Sequence, residues 1–265
     1  MAQQNGSQKT VELRIKRQDG PESPSYWQSF KVPYTPGMNV ISALMEIRMN
    51  PVTADGKRVT PPSWDSGCLE EVCGACSMRI NGRPRQSCTA LVDQLEQPIQ
   101  LEPFSKFPVI RDLMVDRTPM FEALKRVKAW SPMDGTYDMG PGAKVSPELQ
   151  QEMYKFSTCM TCGCCLEACP QVNESSAFIG ASAIGQAYLF NMSPTGKHLK
   201  NERLEELMGP GGVVDCGNAQ NCVKVCPKEI PLTDAIAIIG GQTTTYALQK
   251  MLGFVKTHKP VEVEA

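Results

Sequence analysis

The sequence predicts an α+β fold in two domains, a sheet with one helix at the amino end and helices at the carboxy end. Three observations predict it. Apolar and polar residues alternate with period two near the start, apolar residues recur at helical spacing later, and a proline- and glycine-rich stretch from Ser131 to Pro147 separates two groups of cysteines. At 265 residues the chain is long enough for two cores.

The elements follow in order. Val11, Leu13 and Ile15 alternate with Glu12, Arg14 and Lys16, as in a half-buried strand that ends at the Asp19-Gly20-Pro21 turn. Tyr26 to Val32 reads as the return strand. Asn39 can cap a helix whose apolar face is Val40, Ile41, Leu44, Met45 and Ile47, stopped by Pro51. Asn81-Gly82 suits a two-residue type I′ hairpin turn, and Gln97 to Phe104 would close the sheet. Beyond the linker, Ser146-Pro147-Glu148 is a helix start leading to Met153 and Phe156. Leu232, Ile236 and Ile239 give a last helix its apolar stripe, read as core.

Eleven of the twelve cysteines fall into three sets spaced as ligands of iron–sulfur clusters. Cys68, Cys73 and Cys76 form the C-x4-C-x2-C run of plant-type [2Fe–2S] ferredoxins, and Cys88 follows from the hairpin, earlier than a plain ferredoxin places its fourth ligand. Gly74 and Ala75 keep the loop slim, so backbone amides can approach sulfur. The second set, Cys159, Cys162, Cys165 and Cys169-Pro170, is the bacterial ferredoxin run, whose fourth cysteine serves another cluster. The third set, Cys216, Cys222 and Cys226-Pro227, is the same run with Ala219 in place of its second cysteine. By that crossing rule Cys159, Cys162, Cys165 and Cys226 hold a [4Fe–4S] cluster. Cys169, Cys216 and Cys222 are left for a second one. An alanine cannot ligate iron, so this cluster reads as [3Fe–4S]. Cys164 remains unassigned and reads as a small buried hydrophobe.

The expected architecture is thus a β-grasp plant-type [2Fe–2S] ferredoxin domain over 8–107, a connecting segment and linker over 108–147, and an α-helical bacterial-type ferredoxin domain over 148–255. Competing chemistries fit less well. Disulfides need an oxidising compartment, and Met1 to Lys9 is polar, without the apolar core of a signal peptide. Structural zinc separates its cysteine pairs by a dozen or so residues, and haem attachment needs C-x-x-C-H, which is absent. A net charge of −1 and a pI near 6.2 speak against nucleic acid as a partner, and no apolar run reaches the length of a membrane span. Neither a G-x-G-x-x-G fingerprint nor a Walker loop occurs, so no catalytic site is expected on this chain alone. The only histidines, His198 and His258, read as solvated residues.

The three cysteine runs in this order, with Phe107-Pro108-Val109-Ile110-Arg111-Asp112-Leu113 between the first two, closely resemble the iron–sulfur subunit of succinate dehydrogenase and fumarate reductase over roughly residues 8 to 255. A spare cysteine at the place of Cys164 also occurs in that family. The resemblance implies an electron-transfer subunit working between a flavoprotein subunit with FAD and the succinate site, and a membrane-anchor cytochrome b with haem b, where quinone is reduced. It places the chain at the cytoplasmic face of the bacterial cell membrane, in the citric acid cycle and respiratory chain. Ubiquinone-type members carry paired tryptophans after the Cys-Pro and a histidine after the first cysteine of the third set. Asn173, Glu174 and Gly217 stand there instead. The run from Cys159 to Cys169 is similar to the Gram-positive, menaquinone type. Fumarate reduction in the reverse direction shares every motif, and a free-standing carrier is the remaining alternative, less compatible with a near-neutral chain carrying three cluster motifs.

Overall fold

The structure is a computed structural model that describes residues 9–132 and 143–254. His258 and the middle of the linker lie outside the described residues. The chain forms two compact units, one made of Met1–Phe121, Thr158–Pro170 and Gln220–Ile230, the other of Glu122–Ser157, Gln171–Ala219 and Pro231–Ala265.

In the first unit, β1 (Thr10–Arg17) pairs antiparallel with β2 (Tyr26–Pro33), as the alternation requires. β3 (Ser77–Ile80) and β4 (Arg83–Gln86) form the hairpin. Asn81 and Gly82, at φ 49° and 76°, take the left-handed values of a type I′ turn. β5 (Ile99–Glu102) runs parallel to β1 and antiparallel to β3, closing a mixed sheet of order β2-β1-β5-β3-β4. α1 (Val40–Met49) covers one face, which makes the expected β-grasp arrangement. Val11, Leu13, Ile15, Ile41, Leu44, Ile47, Ile80 and Leu101 are among its core residues. Met45, assigned to the buried face of α1 by the sequence, is exposed, and Ala43 packs instead.

Asn39 has two tasks. Its Oδ1 accepts the Ser42 N–H at 2.8 Å and so caps α1, while its Nδ2 donates to the Cys88 carbonyl at 2.8 Å, fixing the end of the cysteine hairpin. The segment after the sheet folds into a small ribbon, β6 (Val109–Arg111) and β7 (Met114–Val115), with Asp112 at its tip. Asp112 is fully buried. It accepts from Arg17 Nε at 2.8 Å, Ser63 N at 2.8 Å and Gln18 N at 3.1 Å, tying the ribbon to β1.

α2 (Thr118–Arg126) carries the chain into the second unit, which is helical as predicted. α3 (Pro147–Ser157) starts where Ser146 Oγ accepts the Leu149 N–H at 3.2 Å. The short α4 (Cys164–Glu167) and α7 (Asn221–Lys224) belong to the first unit, whereas α5 (Ala181–Met192), α6 (Lys200–Met208) and α8 (Leu232–Met251) belong to the second. Phe156 meets Tyr188 edge to face at 5.0 Å, and α5 packs on α8 where Gly185 leaves space for Leu232. Leu232 and Ile239 of the predicted stripe are buried and Ile236 half-buried. Arg203 is buried with its fork spent on the carbonyls of Lys128, Trp130 and Gly196 and on Asn191 Oδ1. Burial pulls its guanidinium down to about 10. No helix among the described residues is long and apolar enough to cross a membrane.

Candidate metal centres

Among the described residues no three His, Cys, Asp or Glu side chains stand close enough to share one metal ion, so the cysteine sets are judged by what surrounds each sulfur. In the first loop, Leu69, Glu71 and Gly74 take positive φ of 62°, 55° and 70°, which curls the backbone around the sulfurs. Cys68 Sγ accepts N–H groups from Glu70 at 3.4 Å, Val72 at 3.2 Å and Cys73 at 3.2 Å. Cys73 Sγ accepts from Cys68 N at 3.3 Å and Ala75 N at 3.4 Å. The Glu70, Val72 and Cys73 amides pull the Cys68 thiol down to about 7. At Gly67 any side chain would press on Cys73, since a Cβ would lie 3.0 Å from its Sγ.

The other two cysteines of this set are buried. Burial first, then hydrogen bonding with Cys76, pushes the Cys88 thiol up to about 12, and charge on Cys68 acts in the same direction. Cys76 Sγ also meets Gln86 Oε1 at 3.4 Å. Four sulfurs thus interact across one loop and one hairpin. Backbone amides point at both outer sulfurs, and those at Cys68 favour its thiolate. At Cys88 burial outweighs the one backbone hydrogen bond, from Glu71, that favours its thiolate, so a metal binding there would displace its proton. This donor set fits an iron–sulfur group.

The second run turns on Thr161 and Gly163, at φ 52° and 84°, and Gly163 opens α4. A side chain at Gly163 would crowd its neighbours, because a Cβ there would lie 3.1 Å from Met120 Sδ and 3.2 Å from Phe104. Cys159 and Cys162 are moved in opposite directions. Burial raises the Cys159 thiol, and charge on Cys162 and Cys226 adds to that rise. Hydrogen bonding with Cys164, ahead of the neighbouring amide and the charge of Arg117, pulls Cys162 down to about 7 despite its burial. Cys226 therefore lies within electrostatic reach of Cys159. Sulfur at Cys226 also accepts the Ile230 N–H at 3.5 Å.

Cys164 is fully buried, as a small hydrophobe would be, but its thiol engages Cys162 and lies 3.8 Å from Gln86 Nε2. α4 is anchored by Glu167, which accepts Ser105 N at 2.9 Å, Ser105 Oγ at 2.7 Å and Lys106 N at 3.1 Å. α7, bearing Cys222, packs against α4, with Asn221 Nδ2 donating to the Ala168 carbonyl at 3.0 Å. Cys169 and Cys222 lie in the first unit and Cys216 in the second. Ala219 is exposed. His198 is exposed on a 3-10 turn. Sequence reasoning did not find Gln86, Asp112 or Arg117 as individuals; their partners are distant in the chain, and no local spacing marks them.

Two family models match the chain. A 2Fe-2S iron-sulfur cluster binding domain covers residues 12–122, and a 4Fe-4S dicluster domain covers residues 155–230. The succinate dehydrogenase iron–sulfur subunit of Bacillus subtilis (strain 168) is 58% identical over 246 residues, 93% of this chain and 97% of that protein. The chain belongs to the family of succinate dehydrogenase and fumarate reductase iron–sulfur subunits. More distant in that family is the fumarate reductase iron–sulfur subunit of Wolinella succinogenes, 30% identical over 82% of this chain and 89% of its own. A chain of the Mycobacterium smegmatis Sdh1 complex in the apo form shares the fold, with a TM-score of 0.73 at 21% identity over 90% of this chain and 97% of that one. Within the family frame the departure at Gly217 has a local counterpart. A Cβ at that position would lie 2.5 Å from Gln171 Nε2, so a histidine there would have to displace the glutamine.

Proposed function

We propose that this chain passes electrons from the flavoprotein of a succinate dehydrogenase to a membrane-anchor cytochrome b and its quinone, with FAD and haem b on those partner subunits. The observation that carries the reading is the first cysteine loop, whose amides converge on the outer sulfurs in a chain 58% identical to a succinate dehydrogenase subunit. When bound, iron–sulfur clusters accept and release single electrons, which no side chain here does alone. The protein's part is to hold them. Cys68, Cys73, Cys76 and Cys88 would hold [2Fe–2S], and Cys159, Cys162, Cys165 and Cys226 would hold [4Fe–4S], supported by the charge that Cys226 exerts on Cys159. Cys169, Cys216 and Cys222 would hold [3Fe–4S], an assignment supported by spacing and by Ala219. The same reading keeps 8–107, 108–147 and 148–255 as the sequence domains, and places the chain peripherally at the cytoplasmic face of the cell membrane.

Asn173, Glu174 and Gly217 support menaquinone over ubiquinone as the acceptor. Fumarate reduction is the second reading, and 58% against 30% identity favours succinate oxidation. Electron paramagnetic resonance on the anaerobically purified complex, air-oxidised and then reduced with dithionite, with iron quantified on the same sample, tests the assignment. It predicts an oxidised-state signal near the free-electron value and two further signals on reduction. A silent oxidised sample with scarce iron would sink it.

A further inference from the structure

Arg117 precedes α2 by one residue, and its backbone is held on both sides. The Asp116 N–H bonds the Pro108 carbonyl at 2.8 Å, Asp116 Oδ1 accepts the Thr118 N–H at 2.9 Å, and the Met120 N–H bonds the Arg117 carbonyl at 3.0 Å. From that fixed point Nη1 donates to the Gly74 carbonyl and Nη2 to the Ala75 carbonyl, both at 2.6 Å. These two carbonyls belong to the stretch between Cys73 and Cys76 of the first loop. At the same place the two cysteine loops touch: a Cβ on Gly74 would lie 2.7 Å from the Met160 carbonyl oxygen and 2.9 Å from Cys162 Cα. One guanidinium therefore grips the first loop where it abuts the second.

The acceptors are neutral carbonyls, so these bonds leave the guanidinium's charge uncompensated. A planar fork suits two adjacent carbonyls, which an ammonium cannot match with fixed geometry. The charge has a separate consequence. Thiolate-ligated iron gains one negative charge on each reduction, and a fixed cation nearby favours the reduced form. Half-buried between the loops, Arg117 is screened by solvent less than a surface arginine would be.

We propose that Arg117 is a positioning residue that locks the first cysteine loop against the second, and that its charge raises the reduction potential of the group held by Cys159, Cys162, Cys165 and Cys226. The proposal rests on the ligand reading given above. It is tested in the intact complex by comparing wild type with Arg117→Lys and Arg117→Met, using iron content and a redox titration followed by electron paramagnetic resonance. Arg117→Met is expected to shift the ratio of reduced to oxidised signal about tenfold toward oxidised at a fixed ambient potential, about 59 mV for a one-electron couple. Arg117→Lys, which keeps the charge and loses the fork, is expected to retain iron and stay near the wild-type potential, with a disturbed [2Fe–2S] line shape. Should Met lose the iron, Arg117→Gln, which keeps a hydrogen-bond donor and removes the charge, is expected to retain iron and show the same shift toward oxidised. Equal potentials in wild type and the uncharged variants, or an undisturbed [2Fe–2S] line shape in Arg117→Lys, would overturn the proposal. A wild-type complex lacking the iron and the reduced signals would overturn the ligand reading instead.

Discussion

Asp112 shows how a single residue holds the cluster-bearing unit together. Its carboxylate is fully buried and compensated by Arg17, itself 1% exposed, and by two backbone N–H groups. A buried pair contributes little net stability, but removing one partner leaves the other uncompensated at about 3–5 kcal/mol. Asp112→Ala should therefore destabilise by about that amount, read as an earlier midpoint for loss of cluster absorbance in denaturant. A shift under about 0.5 kcal/mol, the ordinary surface range, would show that Arg17 finds another partner. Asp112 was visible in the sequence only within a family motif, since nothing near it in the chain announces Arg17 or Ser63 as its partners. The cysteines were legible because ligand spacing is local, and Asn39 because a cap is local. Gln86 and Arg117 were not.

Among elements, the first cysteine loop and the α6–α8 contact respond to different stresses. Gly74→Ala would put a methyl 2.7 Å from the Met160 carbonyl and force a left-handed φ of 70° on alanine. The backbone penalty alone is about 1–2 kcal/mol, and the clash must move one cysteine loop away from the other. Reduced iron content in the purified variant is the expected outcome; full iron with unchanged spectra would contradict the close packing. On α6, Glu205 Oε1 accepts Lys250 Nζ and Tyr246 Oη, both at 3.0 Å, and Lys250 foremost holds the carboxyl below the usual glutamate range. A depressed carboxylate stabilises the fold above its unfolded value near about 4.3 and loses that contribution as pH falls through the folded value. Being about one-third exposed, the contact contributes under about 1 kcal/mol. Hydrogen exchange in the last turns of α8 should accelerate below about pH 4 in wild type but less in Glu205→Gln. Equal acceleration in both would place the acid sensitivity elsewhere.

For the whole molecule, the order of elements was legible and the grouping of segments was not. Period-two and period-3.6 patterns gave the strands and helices. They carry no record of Glu167 reaching Ser105, Gln86 approaching Cys164 or Arg83 Nη2 donating to the Lys224 carbonyl, the contacts that gather Thr158–Pro170 and Gln220–Ile230 into the amino-terminal unit. The type of the third cluster was read from a single absence, the alanine in the third cysteine run. Ala219 is exposed, has no left-handed φ of its own, and lies between Asn218 and Gln220, which have φ of 51° and 59°. A cysteine can therefore replace it at a cost within about 0.5 kcal/mol, the usual surface range. If Cys169, Cys216 and Cys222 hold a three-iron cluster, Ala219→Cys completes the bacterial run and admits a fourth iron. Iron per complex should rise by one, the oxidised-state signal near the free-electron value should disappear, and succinate-to-quinone turnover should slow as that station's potential drops. Artificial-dye reduction at the flavoprotein should stay unchanged, because the altered site lies downstream of it. Unchanged iron with a persistent oxidised signal would mean that residue 219 does not face the cluster, and the third ligand set would have to be drawn again.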